Sequence, residues 1–108
     1  MEPNQVVRAL AAIAHESRLA VFRLLVSIGP DGLAAGTVAE MLGIAPSALS
    51  FHLKDLTQAG LLMQRPDGRR LIYSANFQAM QALIGYLTAN CCQGEACAVD
   101  DNASCKSC

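Results

Sequence analysis

Three residues, Gly43-Ile44-Ala45, separate two stretches that each have the apolar spacing of an amphipathic helix. The stretch before them, residues 37–42, ends at Gly43, a residue type that is common immediately after a helix. The stretch after them begins at Pro46, which suits the first turn of a helix, and continues to about residue 59. Because so short a connection between two helices is typical of a helix-turn-helix, this segment constrains the fold more than any other.

Two further helices are predicted before this segment. Apolar residues recur at helical spacing over residues 6–14 and again over residues 17–28. Ser17 stands where the second of these helices would begin, and we expect its hydroxyl to cap that helix. The Gly and Pro residues that follow would end the helix. Its buried face is predicted to contain Leu19, Phe22, Leu25 and Val26.

A β-hairpin and a last helix are predicted after the helix-turn-helix. Two short apolar runs, residues 61–65 and 71–74, flank an Asp67-Gly68 pair, which is a strong hairpin signal. Helical spacing returns after Asn76, which we expect to cap a helix that ends near residue 90. The predicted fold is therefore mainly α with a β-hairpin wing, a winged helix-turn-helix over residues 1–90.

The second helix of the helix-turn-helix is predicted to expose a face that suits the major groove of DNA. Leu49, Leu53 and Leu56 form an apolar stripe that would hold this helix against the core. The outer face then offers hydroxyls and a lysine to phosphates or base edges, and an aromatic ring to a thymine methyl. Burial of that ring is the alternative, and His52 is expected nearer the core in an anchoring role. The candidate DNA-binding residues of this helix are Ser47, Ser50, Phe51 and Lys54.

Charge is unevenly distributed although the formal net charge is only -1. Residues 46–75 are mildly basic, and Arg69 and Arg70 stand at the predicted wing tip. There they would contact the DNA backbone or the minor groove, with simple solvated turn charges as the alternative. Because one subunit offers few phosphate contacts, two subunits are expected to bind DNA together.

The motifs together resemble the ArsR/SmtB family of metal-responsive repressors. The resemblance covers residues 5 to about 90. It implies a homodimer with the first and last helices at the interface, bound to operator double-stranded DNA until a metal ion releases it. The residues that carry it are Ser50-Phe51-His52-Leu53-Lys54-Asp55-Leu56, Ala59-Gly60-Leu61, Gly68-Arg69-Arg70 and Tyr73.

All five cysteines lie within the last 18 residues, which we predict to form a separate metalloid-binding tail over residues 91–108. The first residues lack the pattern of a secretory signal, and no apolar run is long enough to span a membrane, so we expect a cytoplasmic protein. In a reducing cytoplasm, clustered thiols more often bind metals or sense oxidants than form disulfides. Cys91 and Cys92 are adjacent, with Cα atoms about 3.8 Å apart, which favours sharing an ion over bonding each other.

The inducer is predicted from the ligands that the chain offers. The resemblance provides two comparisons: arsenic sensors with Cys-x-Cys before the recognition helix, and zinc sensors with Asp and His along the last helix. Neither pattern is present here. Three thiolates, from Cys91, Cys92 and Cys97, suit three-coordinate trivalent arsenic or antimony, as arsenite or antimonite. Methylarsenite would need only two thiolates, which Cys91 and Cys92 could supply. This arrangement also resembles a subgroup of arsenite-responsive repressors with C-terminal sites, and no organic cofactor is expected.

Alternatives to this inducer involve the same tail. Cys105 and Cys108 are predicted to be accessory thiols, but recruiting one of them would create a four-thiolate zinc or cadmium site. Thiol oxidation, or a tail with no sensing role, would also be compatible with the sequence. An enzyme is not expected, because reactive cysteines need electropositive surroundings or a helix N-terminus, whereas this tail is acidic and follows a helix C-terminus. A thiol-rich buffer would leave the helix-turn-helix unexplained.

Overall fold

The computed structural model describes residues 1–94, which form five α-helices and a three-stranded antiparallel sheet. This architecture confirms the predicted winged helix-turn-helix. None of the helices in this part of the chain is both long and apolar enough to cross a membrane. In chain order the elements are α1 (Pro3–Ile13), α2 (Glu16–Ile28), β1 (Leu33–Ala34), α3 (Ala35–Leu42), α4 (Pro46–Gln58), β2 (Leu62–Asp67), β3 (Arg70–Ala75), α5 (Phe77–Thr88) and a 3-10 turn (Cys91–Gly94).

The start of α2 differs from the prediction, because His15 and not Ser17 caps it. Nδ1 of His15 accepts a hydrogen bond from the backbone N–H of Ser17 at 3.1 Å. An imidazole nitrogen therefore satisfies one of the amide donors that a helix leaves unpaired at its first turn. The buried face is also shifted: Val21 is buried beside Phe22 and Leu25, whereas Leu19 is 43% exposed.

The core of the described residues is entirely apolar and lies between the helices and the sheet. Three of its largest members are Leu49, Leu53 and Leu56, so the predicted stripe along α4 is confirmed. Burying a side chain of this size contributes about 1.5–3 kcal/mol relative to leaving it in water. The outer face of α4 is consequently fixed by what its inner face buries.

The wing is part of a sheet whose strand order is β1-β3-β2, so β3 is central and β2 is an outer strand. Asp67 pairs with Arg70 at the end of the β2–β3 hairpin, and Gly68 in the loop has a φ of +66°. Positive φ is what a two-residue hairpin loop requires. Further along β2, Pro66 stands opposite Leu71.

The two-residue strand β1 was not predicted. Leu33 pairs with Tyr73, and Ala34 pairs with Ile72. The chain enters β1 through Gly32, where an added Cβ would collide with the backbone carbonyl oxygen of Tyr73. Glycine therefore permits the close approach that attaches α3 to the sheet.

Asn76 caps α5, as predicted, and also connects that helix to the end of α4. Its Oδ1 accepts from the backbone N–H of Ala79 at 3.1 Å, while its Nδ2 donates to the carbonyl oxygen of Gly60 at 3.0 Å. The helix itself ends at Thr88, slightly earlier than expected. One side chain thus holds the first turn of α5 against the turn that precedes the wing.

Candidate nucleic-acid interface

The turn between α3 and α4 is as short as predicted. Gly43 adopts the left-handed conformation, with φ 65° and ψ 35°, and its N–H donates to the carbonyl oxygen of Ala39. The N–H of Ile44 donates to the same oxygen at 3.1 Å. Pro46 then begins α4 within its first turn. These backbone contacts let α4 begin three residues after α3 ends.

All four candidate DNA-binding residues of α4 are exposed. The largest of them, Phe51, is 65% exposed, which excludes the alternative that its ring belongs to the core. An aromatic ring in this position offers apolar contact area on an otherwise polar face. The residues turned outward are Ser47, Ser50, Phe51 and Lys54.

The outer face of α4 continues into a cleft between this helix and the sheet. The cleft has a volume of about 320 Å³ and is bordered by Ser50 and Lys54 from α4. On its other side are Gln64 of β2 and Tyr73 of β3. The helix and the wing therefore present polar groups to the same side of the molecule.

The wing tip carries Arg69 and Arg70, both exposed. Nη2 of Arg70 lies 3.2 Å from Oδ2 of Asp67 across the hairpin. Both arginines also border a cleft of about 560 Å³ that includes Glu40 of α3. Exposed ion pairs contribute little to stability, so the main effect of Asp67 is to lower the positive charge at the wing tip.

Two arginines that the sequence analysis missed hold α4 from the opposite side. Nη2 of Arg18 forms an ion pair with Oδ2 of Asp55 at 2.5 Å, and its Nε donates to Nδ1 of His52 at 3.2 Å. Nη2 of Arg8 donates to the carbonyl oxygen of Gln58 at 3.3 Å. These partners are 34 to 50 residues apart, so no local sequence pattern could have indicated them.

His52 has the anchoring position that was predicted for it. Its half-buried ring accepts the Arg18 hydrogen bond and lies 4.9 Å, centroid to centroid, from the ring of His15. Burial lowers the pKa of His52, and the neighbouring His15 and Arg18 lower it further, against an opposing effect of Asp55. The neutral form of His52 is therefore favoured, as its acceptor role requires.

Comparisons with known proteins agree with this geometry. A family model described as "Helix-turn-helix domain" matches residues 13–65. The helix-turn-helix-type transcriptional regulator YgaV of Escherichia coli is 32% identical over 84 residues, covering 78% of this chain and 83% of that protein. A Halobacterium salinarum protein described as a candidate arsenical resistance operon repressor, ArsR, is 32% identical over 78 residues, covering 72% of this chain and 60% of that protein.

A solved structure from Mycobacterium bovis extends the comparison to the fold and assembly. It is a homodimeric winged helix-turn-helix DNA-binding domain of a candidate ArsR-family regulator, with a TM-score of 0.62 and 26% identity. The match covers 79% of this chain and 83% of that one. The chain belongs to the ArsR family of transcriptional regulators. Helix-turn-helix regulators bind DNA, and α4 is the second helix of the motif in this ArsR-family chain.

The two helices predicted to form the dimer expose large apolar residues in this ArsR-family regulator. Val7 and Leu10 are exposed on α1, and Ile84 and Leu87 are exposed on α5. The two helices contact each other within one subunit. Apolar residues grouped on neighbouring helices are typical of a surface that a partner covers.

The cysteine segment of this ArsR-family regulator begins directly beyond α5. Sγ of Cys91 lies 3.7 Å from Sγ of Cys92, which is too far for these two sulfurs to be bonded to each other. Residues 1–94 contain no cluster of three metal-binding side chains. The other predicted ligand, Cys97, and the accessory residues Cys105 and Cys108 lie outside the described residues.

Proposed function

We propose that this chain is a repressor that binds operator DNA as a homodimer and releases it when trivalent arsenic binds the thiolates of Cys91, Cys92 and Cys97. The observation that carries the proposal is the division of α4 into two faces. Its leucines are buried, whereas Phe51 and the polar residues around it are exposed. A rigid helix with an exposed, mixed polar and aromatic face is the element that such regulators insert into the major groove.

The wing supports the same orientation on DNA. Ser50 and Lys54 of α4 share one cleft with the sheet, so a duplex against α4 would also lie near the hairpin. Arg69 and Arg70 would then contact the backbone or the minor groove. Each subunit supplies few cationic contacts, which favours binding by a pair of subunits at half-sites about 34–36 Å apart.

The exposed apolar residues of α1 and α5 support a homodimer. Val7 and Leu10 on one helix, and Ile84 and Leu87 on the other, would be covered by the same residues of a second copy. A symmetric interface of this kind holds two α4 helices at a fixed separation. A small rotation at the interface would therefore move both helices away from successive major grooves.

The position of the thiols supports a link between inducer and dimer. Cys91 follows the end of α5 by three residues, so the sulfur atoms begin where the proposed interface helix stops. Trivalent arsenic would supply bonds to three sulfurs, which would order the tail beside α5. The similarity to a Halobacterium protein described for arsenical resistance supports arsenic, and not another thiol-binding ion, as the proposed inducer of this chain.

The test is release of a fluorescent operator duplex, selected from a randomised pool by the reduced protein. Arsenite, antimonite, zinc, cadmium and hydrogen peroxide are added separately at fixed salt, and fluorescence anisotropy reports binding. We expect arsenite or antimonite to release DNA at near-stoichiometric amounts, with zinc inert. Release by zinc or cadmium alone would point to a four-thiolate site, and release by peroxide alone would point to thiol oxidation.

Serine variants identify the ligands. Cys91→Ser, Cys92→Ser and Cys97→Ser are each expected to abolish release by arsenite while retaining DNA binding. Cys105→Ser and Cys108→Ser are the matched controls, and both are expected to respond like the parent protein. If arsenite released the first three variants normally, the proposed ligand set would be wrong.

A further inference from the structure

A group of four polar side chains lies on the side of α4 that faces α2. His15 comes from the turn before α2, Arg18 from its first turn, and His52 and Asp55 from α4. Arg18 contacts both α4 residues, through Nε to Nδ1 of His52 at 3.2 Å and through Nη2 to Oδ2 of Asp55 at 2.5 Å. The His15 and His52 rings lie 4.9 Å apart with their planes inclined by 48°. These contacts are named here the α2–α4 joint.

The joint fixes the position of α4 along its helix axis and its rotation about that axis. His52 and Asp55 are three residues apart in a helix, so their side chains share one face. A single planar guanidinium that bonds to both resists sliding and rotation of α4 relative to α2. The exposed face of α4 is opposite its buried leucines. Sliding or rotation of α4 would therefore change the position of Phe51 and Lys54 together.

Both imidazoles in the joint act through the same type of atom. Nδ1 of His52 accepts from Arg18, and Nδ1 of His15 accepts from the N–H of Ser17 at the start of α2. A protonated imidazole is a donor at both nitrogens and can accept at neither. Proton binding to His52 would therefore turn a donor toward Arg18 and break the hydrogen bond between them.

We propose that the α2–α4 joint is proton-sensitive and positions the recognition helix, so that acidification weakens operator binding. The proposal rests on the proposed function, because it concerns the same α4 surface. His52 is a positioning residue: it acts on DNA through the placement of α4 and not by touching DNA.

Burial and the charges around His52 determine whether the joint is strengthened or weakened as the pH falls. His15 and Arg18 face His52 from the α2 side, Asp55 faces it from α4, and Arg8 of α1 borders the same surface cavity as Arg18 and Asp55. Burial is the largest cause that lowers the pKa of His52 below its ordinary value of 6.5; His15 and Arg18 lower it further, and Asp55 opposes them. The unfolded chain then binds a proton more readily than the folded one, so the joint is intact above about pH 6.5 and weakens as the pH falls below it.

The experiment measures the affinity for the selected operator duplex by fluorescence anisotropy at about pH 8 and about pH 5.5, with salt fixed. For the parent protein we expect affinity to fall by at least about threefold between these conditions. Simple attraction between an added positive charge and phosphate predicts the opposite, a gain in affinity at low pH. A gain, or no change, would overturn the proposal.

His52→Gln is the matched variant, because its amide oxygen can accept from Arg18 at either pH. We expect its affinity to change by less than about 1.5-fold over the same range, since the acceptor for Arg18 no longer titrates. A response in His52→Gln equal to that of the parent protein would overturn the role of His52.

Arg18→Lys provides a test that does not change a histidine. It keeps the positive charge but loses the planar guanidinium that bonds to both His52 and Asp55. We therefore expect weaker operator binding at about pH 8 and a smaller change of affinity between the two pH values. Circular dichroism at both pH values establishes that each variant is folded. If the parent protein bound DNA at neither pH, both the proposed function and the proposed role of the joint would be wrong. If it bound DNA equally well at both pH values, only the proposed role of the joint would be wrong.

Discussion

Arg8 of α1 reaches across to the last residue of α4, where its Nη2 donates to the backbone carbonyl oxygen of Gln58 at 3.3 Å. Carbonyl groups at a helix C-terminus carry partial negative charge, so a guanidinium is a favourable partner. Val7, the neighbour of Arg8, is exposed on the helix that we assign to the dimer interface. Adjacent residues therefore make the proposed subunit contact and the contact that holds α4.

Replacing Arg8 should affect DNA binding more than stability. For Arg8→Ala we expect operator affinity to fall several-fold, because α4 loses a contact at its end, and unfolding free energy to fall by at most about 1 kcal/mol. Fluorescence anisotropy and urea denaturation measure the two quantities. Arg23→Ala, at another exposed arginine, is the control for lost charge. An equal loss of affinity in that control would contradict the positioning role.

Neighbouring apolar residues of α4 should separate folding from DNA binding. Leu53 is 2% exposed, so Leu53→Ala is expected to lower the unfolding free energy by about 2–5 kcal/mol. Phe51 is 65% exposed, so Phe51→Ala should change it by no more than about 0.5 kcal/mol while weakening operator binding. Chemical denaturation and anisotropy are compared for both variants. Unchanged DNA affinity in Phe51→Ala would remove that ring from the interface.

Removing the carboxylate of the wing should strengthen DNA binding at low salt. Asp67→Asn releases Arg70 from its ion pair and removes a charge that repels phosphate. Each added phosphate contact increases the slope of log affinity against log salt by about 0.9, and the slope is the measurement. Asp31→Asn makes the same change of charge at an exposed residue before β1. If both variants gained equally, the effect would be one of net charge and not of the wing.

The apolar surface of α5 should be needed for dimerisation. Ile84 is 52% exposed, and Ile84→Glu is expected to shift the protein to monomer, because each copy would bury a carboxylate in the interface. Light scattering after size-exclusion chromatography measures the mass over a range of concentrations. Met41 on α3 is 55% exposed, and Met41→Glu should remain dimeric. A dimeric Ile84→Glu would place the interface elsewhere.

The two hydrogen bonds of Asn76 can be separated by substitution. Asn76→Ala loses both the cap of α5 and the contact with Gly60, and should lower the unfolding free energy by about 1–2 kcal/mol. Asn76→Asp keeps an oxygen for the Ala79 N–H but loses the donor to Gly60, so its stability should be intermediate. Urea denaturation distinguishes the three proteins. Equal stability of the two variants would mean that only the contact with Gly60 matters.

Local chemistry explains what the sequence could predict. Each predicted element is indicated by residues that act on their own backbone or on residues a few positions away. Gly43 and Pro46 indicate the helix-turn-helix, Gly68 indicates the hairpin, and Asn76 indicates the start of α5. The exposure of Phe51 followed from helical spacing in the same way.

Contacts between distant residues explain what was missed. Arg18 meets His52 only after α2 and α4 have packed, and β1 is identified only by its pairing with β3. The cap of α2 was misplaced because histidine is not a residue type that propensity assigns to that position. The roles of the tail cysteines remain predictions from thiol chemistry.

The position of Pro66 in the outer strand β2 has a consequence for crowding on DNA. An outer strand carries unpaired backbone groups that can recruit a strand from another molecule. Pro66 brings no N–H, and charged Arg65 and Asp67 flank it. Such residues discourage edge-to-edge pairing of sheets. Regulators bound side by side would therefore be discouraged from pairing through the outer edge of β2.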